Sequence, residues 1–201
     1  MADLLQKIED IFYQLLLQIY PNRCPVCDRV LHHTLICPAC AAKLKYVRQP
    51  SCFSCGKPLY NAAQEYCSDC VRRRHEFRQG KAVFVYQGAM RGIMYRYKYS
   101  NRRDYTEFLA REAERLYGAW VRQQEIELVV PIPLSKKRLR QRGYNQAEIF
   151  AKRFAELCGL PCDSRIIRRT RNTAPQKQLS VDERKNNLKN AFKTDRNVVN
   201  L

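Results

Sequence analysis

An α/β fold preceded by a small cysteine-braced module is predicted by three features of the 201-residue chain. Four Cys-x-x-Cys pairs crowd its first third, and a β-branched apolar run ended by prolines spans Ile126–Pro133. Segments on both sides of that run repeat their apolar residues at helical spacing. A domain takes about 100–150 residues, so the length holds the module and one domain with its own core.

The pairs are Cys24/Cys27, Cys37/Cys40, Cys52/Cys55 and Cys67/Cys70. Two thiolates separated by two residues curl around one ion, and two such knuckles supply the four sulfurs of a closed zinc site. Four pairs therefore predict two structural zinc ions. The turns carry the residues that knuckles want, as in Cys24-Pro-Val-Cys27, Cys37-Pro-Ala-Cys40 and Cys52-Phe-Ser-Cys55-Gly56. Disulfides are the alternative, but Asp3, Glu9 and Asp10 stand where a secretory leader would be basic and then apolar. Thiols that are not exported stay reduced, which points to the cytoplasm. Sequential pairing gives two ribbons in a row and interleaved pairing a cross-braced module; the reading favours the sequential arrangement. Cys158 and Cys162 lie apart in apolar surroundings and read as small buried hydrophobes.

In chain order, residues 1–21 read as an amphipathic helix with Leu4, Leu5, Ile8, Ile11, Phe12, Leu15, Leu16 and Ile19 on one face, stopped by Pro21. Such a stripe packs on its own protein or docks on a partner or membrane surface. Residues 22–75 form the zinc module and 76–201 the second domain. Lys81–Tyr86 reads as a strand, Ala89–Tyr97 and Asp104–Trp120 as helices, and Ile126–Pro133 as a buried parallel strand. Asn145 starts a helix that runs to Leu157. Arg165–Arg169 reads as another strand, Asn172–Gln176 as a turn or mobile loop, and Ser180 with Glu183 as a capping box. No apolar run is long enough to cross a bilayer.

Charge limits the partners. There are 37 Lys and Arg against 19 Asp and Glu, a formal net charge of +18, so a polyanion is expected, either nucleic acid or a phosphorylated metabolite. The cations concentrate between Leu134 and Gln146, where Lys136, Lys137, Arg138, Arg140 and Arg142 read as a basic loop between strand and helix. The helix start adds unpaired N–H groups and a positive dipole end, which together suit a phosphate or pyrophosphate. The loop lacks the Gly-Lys-Ser/Thr ending of a Walker sequence. Aromatics alternate with cations in Tyr95-Arg-Tyr-Lys-Tyr99 and Arg102-Arg-Asp-Tyr105 and would stack unpaired bases wherever they are exposed.

The four cysteine pairs, followed in order by Val130-Pro-Ile-Pro-Leu134, Arg138, Arg142-Gly-Tyr-Asn-Gln146, Gln176, Leu179-Ser180, Glu183-Arg184, Asn187-Leu188 and Ala191-Phe192, resemble the ComF family over roughly residues 20 to 195. The resemblance implies a double zinc ribbon joined to a type I phosphoribosyltransferase-like, Rossmann-like domain with a central parallel sheet and a crevice at the strands' carboxyl ends. It places Arg138, Arg142, Gly143, Asn145 and Gln146 in or just after a loop for Mg²⁺ and phosphoribosyl pyrophosphate (PRPP), with Gln176, Arg184 and Asn187 on or behind a mobile cover. Two functions follow from it. One is cytoplasmic handling of incoming single-stranded DNA in natural transformation, with Lys136, Lys137, Arg138, Arg140 and Arg142 on the strand and a competence helicase or other DNA-uptake proteins as partners. The other is Mg²⁺-dependent transfer of phosphoribosyl to an amine or nucleobase. The family pattern continues into an Asp-Asp pair and a Thr-Thr-Gly loop for the ribose 5-phosphate. Asp195–Leu201 contains neither, so the second domain is expected to be incomplete and not to perform transfer.

Overall fold

The computed structural model describes residues 21–73, 75–174 and 179–194. Residues 1–20 of the helix predicted over 1–21 lie outside the described residues, as does Gln176. The chain divides into two compact units, with the boundary between Tyr95 and Arg96.

In the first unit, β1 (Asn22–Arg23) and β2 (Val30–Leu31) pair antiparallel around the first knuckle. The Cys24 N–H donates to the Arg29 carbonyl at 2.8 Å, and Asp28 turns the chain at φ 62°. A one-turn helix, α1 (Pro38–Ala41), follows with Cys37 at its N-cap and Pro38 in its first turn, where a missing N–H costs nothing. The same plan repeats in the second half. The knuckle at Cys52 closes with its N–H on the Lys57 carbonyl at 2.7 Å, and α2 (Ser68–Arg72) has Cys67 at its N-cap. Gly56 sits at φ +72°, and a Cβ there would lie 2.9 Å from the backbone of Gly80 and Ala82, so this position requires glycine. The predicted strand Lys81–Tyr86 forms one antiparallel bridge, Tyr46 to Phe84, flanked by Val47 N–H on the Val83 carbonyl (3.0 Å) and Val85 N–H on that of Lys45 (2.8 Å). The helix α3 (Ala89–Tyr99) then carries the chain across the unit boundary.

The second unit is built on α4 (Tyr105–Arg122) packed against α6 (Gln146–Cys158). Between them in sequence lies α5 (Lys136–Arg142). The inner face of α4 buries Tyr105, Phe108, Leu109 and Val121; each large apolar side chain so buried contributes about 1.5–3 kcal/mol. Ala110 and Ala113 on α4 and Ala151 and Ala155 on α6 are buried too, and their small side chains let the helices approach closely. One charged clamp ties the pair: Arg153 on α6 holds Glu107 on α4 through Nε at 2.6 Å and Nη2 at 2.9 Å.

Those guanidinium bonds, aided by Arg111, hold the Glu107 carboxyl below the usual carboxylate range. Its folded-state pKa lies below the unfolded one, so the stabilisation is present above the unfolded value and is lost as pH falls through the folded value. Glu107→Gln is expected to lower stability by about 1 kcal/mol at pH 7. Urea denaturation at a series of pH values should show the difference from the unsubstituted protein shrinking below about pH 4.

The expected central parallel sheet is not present among the described residues. They contain two two-stranded antiparallel sheets, the second made of β3 (Ile167–Arg169) and β4 (Phe192–Thr194), with α7 (Val181–Leu188) between these strands in sequence. The run Ile126–Pro133 forms one parallel bridge, Val129 to Cys162, with hydrogen bonds of 2.9 and 3.2 Å to Pro161 and Asp163. Pro131 and Pro133 lack the N–H groups that would extend the ladder. The observed architecture is therefore mixed helix and strand behind a zinc-ribbon module.

Candidate functional site

All eight knuckle cysteines are free thiols, and their sulfurs fall into two sets: Cys24, Cys27, Cys37, Cys40 and Cys52, Cys55, Cys67, Cys70. Within each set the sulfurs lie within 4.8 Å of one another. Cys24 to Cys37 is 3.7 Å, Cys27 to Cys37 3.8 Å and Cys55 to Cys67 3.7 Å. A disulfide would require about 2.05 Å, whereas a tetrahedral zinc with bonds of about 2.3 Å spaces its sulfurs by about 3.8 Å. The sets fit two structural zinc ions, and the pairing is sequential.

The electrostatics of each set ask for a cation. Burial raises the Cys24 thiol, but N–H donors of Cys27, Cys37 and Val26 outweigh it and bring it down to about 6. Cys52 is likewise raised by burial and brought down to about 6 by the N–H groups of Cys55, Cys67 and Ser54. The last member of each set behaves oppositely. Hydrogen bonding to Cys37 and then burial push Cys40 up to about 12, and burial followed by bonding to Cys55 and Cys67 does the same to Cys70. Full deprotonation of four adjoining thiols needs a dication, and zinc binding accordingly releases protons.

In the second unit, the stretch expected as a basic loop is the helix α5. Ser135 caps it by accepting the Arg138 N–H at 3.4 Å, and Gly143 closes it at φ 73° with its N–H on the Leu139 carbonyl at 2.8 Å. Lys, Arg, Leu and Gln are good helix formers, and a Ser immediately ahead of them with a Gly after the last turn are start and stop signals. Mutual repulsion of the cations does not prevent the helix, because long side chains splay apart in water. Lys136, Lys137 and Arg140 are exposed, while Arg138 and Arg142 are half-buried.

Asn145 is buried and does two things: its side-chain oxygen accepts the Ala147 N–H at 3.1 Å, and its amide donates to the Ile132 carbonyl at 3.1 Å. The N-terminus of α6, expected to offer open N–H groups to an anion, thus spends one of them on its own cap. Arg142 donates to the Gln146 side chain at 2.8 Å and lies over the Tyr99 ring at 4.9 Å. Arg103 reaches the Gly143 carbonyl at 3.3 Å and lies over Tyr144 at 4.8 Å. Tyr144 is buried and donates its hydroxyl to the Tyr97 carbonyl; Tyr97 in turn donates to the Gln146 carbonyl at 3.0 Å. Burial pushes the Tyr97 phenol up to about 12.

Arg138, Arg142, Gly143, Asn145 and Gln146 therefore share one segment. Arg184 and Asn187 lie on α7: the Asn187 side chain braces the 170–174 turn by exchanging two hydrogen bonds with Ala174 (3.1 and 3.0 Å), while Arg184 donates to the Leu179 carbonyl at 3.0 Å, just ahead of its own helix. Two further residues of this region matter to it without standing out in the sequence. Ser135 is signalled only by its place ahead of a run of helix formers. Arg169, whose half-buried guanidinium lies 5.2 Å over the Phe192 ring with Nε unpartnered, leaves no local signal because its strand partner is 23 residues away.

The double zinc ribbon domain family matches residues 15–71. Competence protein F of Haemophilus influenzae is 28% identical over 182 residues, covering 88% of this chain and 78% of that protein. The DNA utilization protein YhgH of Salmonella typhimurium is 30% identical over 186 residues, covering 90% of this chain and 81% of that protein. Competence protein ComFC of Bacillus subtilis is 28% identical over 123 residues, covering 58% of this chain and 50% of that protein. No solved structure matches the chain. Among the described residues, no helix is long and apolar enough to cross a membrane.

Proposed function

Because the chain belongs to the ComF family of competence proteins, we propose that it handles incoming single-stranded DNA in the cytoplasm during natural transformation. The observation that carries this reading is the state of α5. Lys136, Lys137, Arg138, Arg140 and Arg142 form no ion pair with a carboxylate among the described residues, whereas Arg102, Arg111, Arg115, Arg122, Arg153 and Arg165 all do. Five unneutralised cations on a two-turn helix match the phosphates of a strand. The names of the relatives, competence and DNA utilization, agree with such a ligand. Clusters of four free thiols suit a reducing compartment. In this reading the ribbons face the strand or the competence helicase and other uptake proteins that work on it.

Fluorescence anisotropy of a labelled oligodeoxythymidine tests it. Binding should weaken steeply with salt, and joint replacement of Arg138, Arg140 and Arg142 by Ala should flatten the log–log slope by about 2, at about 0.7 for each phosphate no longer neutralised. An unchanged affinity and slope would remove α5 from the strand.

The second reading is a phosphoribosyltransferase-like scaffold that takes PRPP with Mg²⁺ and an amine or nucleobase acceptor. It is favoured by the clustering of Arg138, Arg142, Gly143, Asn145 and Gln146 in one segment of the unit whose 170–174 turn Asn187 braces, with Arg184 on the same helix. The cations suit a pyrophosphate, which as a leaving group gathers negative charge that bound metal offsets. Among the described residues, metal-ligating groups gather in threes or more only in the two cysteine sets, so the Mg²⁺ would ride on the pyrophosphate itself. Calorimetric titration of PRPP with and without Mg²⁺ tests this: heat only with the metal supports the scaffold, and no heat in either case ends it.

A further inference from the structure

The sequence offers two aromatic–cation stretches, and the fold sorts their rings. Tyr97 and Tyr105 are buried, at 2% and 1% exposure, and act as core. Tyr99, the last residue of α3, keeps 61% of its surface exposed while the Arg142 guanidinium lies 4.9 Å from its ring centroid and donates to its hydroxyl at 3.4 Å. Arg103, itself exposed, donates to the carbonyl of Gly143, the residue after Arg142, so two guanidinium groups are anchored to the same turn.

The partners of these two arginines distinguish them from their neighbour. Arg102 is neutralised by Asp104 at 2.7 Å. Arg103 is held instead by the Asn101 side chain at 3.0 Å and by a carbonyl, and Arg142 by the Gln146 amide and a phenol. Neither forms an ion pair with a carboxylate among the described residues. Neutral acceptors fix each guanidinium in place without cancelling its charge, which pre-organises both for an external anion. An exposed flat ring next to two such charges matches the repeating unit of a single strand, one π-face and one phosphate per residue. In a duplex the bases are stacked on one another and give the ring nothing to cover.

We propose that Tyr99 is a stacking platform for one unpaired base of a single-stranded nucleic acid, with Arg142 and Arg103 on the phosphates that flank that base. This rests on the strand-handling reading and adds to it: it assigns the base contact to a ring at the end of α3, distinct from the charge contacts along α5.

The test compares two labelled probes of equal length, oligodeoxythymidine and an abasic deoxyribose-phosphate strand, on the full chain. The unsubstituted protein should prefer the thymidine strand. Tyr99→Ala should weaken thymidine binding by about tenfold, leave abasic binding and the salt slope unchanged, and so erase the preference; Tyr99→Phe should retain it. Arg103→Gln and Arg142→Gln should weaken both probes equally, each lowering the salt slope by about 0.7. If the protein binds both probes alike and Tyr99→Ala changes neither, the platform is overturned while strand handling by charge stands. If the protein binds neither probe, the strand-handling reading falls and the platform with it. Because Tyr99 is exposed, the alanine variant is expected to keep its fold, and an unchanged two-zinc content and circular dichroism spectrum should accompany it.

Discussion

Replacing Cys52 with serine is expected to lower the zinc content from two ions per chain to one and to open the second ribbon to proteolysis, while the first keeps its metal. The two ligand sets share no cysteine, so each ion would hold its own pair of knuckles and its own one-turn helix. α1 and α2 span four and five residues, far below the length at which a helix is stable in isolation. The buried residues around the first set are mainly the ligands themselves, with Leu31 beside Cys24 and Cys40. So small a cluster leaves metal binding as the main source of order; a structural zinc contributes about 10–16 kcal/mol at neutral pH. Cys52 is buried, and its sulfur accepts the Cys67 N–H at 3.3 Å, which links the two knuckles of its set even before the ion is counted. Native mass spectrometry after expression should show one zinc for Cys52→Ser and one for Cys24→Ser, and limited proteolysis should cut a different ribbon in each. Loss of both ions from either variant would mean that the ribbons fold as one unit. Acid should strip both from the unsubstituted protein, since protons compete for the thiolates.

How much of this is legible in the sequence follows from the range over which each interaction acts. The zinc sets can be read because ligand spacing within a knuckle is local, and sequential pairing joins knuckles that are near neighbours along the chain. The helices α4 and α6 are legible from apolar periodicity and the Asn145 cap, and α7 from the Ser180–Glu183 box, whose reciprocal bonds of 2.7 and 3.4 Å are present. What the residues do not specify is pairing between distant strands. Ile126–Pro133 has the composition of a buried parallel strand, yet composition does not say which segment lies beside it, and the described residues give it one bridge to Cys162. Arg165–Arg169 reads as a strand without revealing its partner, which is the antiparallel β4. The basic segment misleads for a different reason: its charge density suggests a loop wrapped on an anion, although helix propensity, Ser135 and Gly143 all favour α5. Burial within Tyr95-Arg-Tyr-Lys-Tyr99 shows only once the stretch is read with the residues before it: Tyr97 falls on the helical face of the buried Met90 and Ile93, and Tyr95 and Tyr99 fall off it.

Asn145→Ala should destabilise the second unit by about 1–3 kcal/mol, the sum of a lost helix cap and a lost hydrogen bond to the part-buried Ile132 carbonyl. Asn145 is only 8% exposed, and its amide spans two elements: the oxygen holds the first turn of α6, and the nitrogen holds the Ile132 carbonyl in the extended run that precedes α5. Removing it loosens both ends of the basic helix at once. Asn145→Asp separates the two contributions. The carboxylate still caps α6 and gains from the helix dipole, but it cannot donate to Ile132 and faces that carbonyl with a negative charge, so most of the loss should remain. Urea denaturation of the second unit should rank the unsubstituted protein above Asn145→Asp and that above Asn145→Ala. The same variants bear on the PRPP reading. If Asn145 acts through the position of α5, a titration performed well below the unfolding midpoint should show PRPP affinity falling no more than that of oligodeoxythymidine, because both ligands meet the same displaced cations. A selective loss of PRPP affinity would instead make Asn145 a direct contact of the pyrophosphate, its cap to Ala147 exchanged for the ligand on binding.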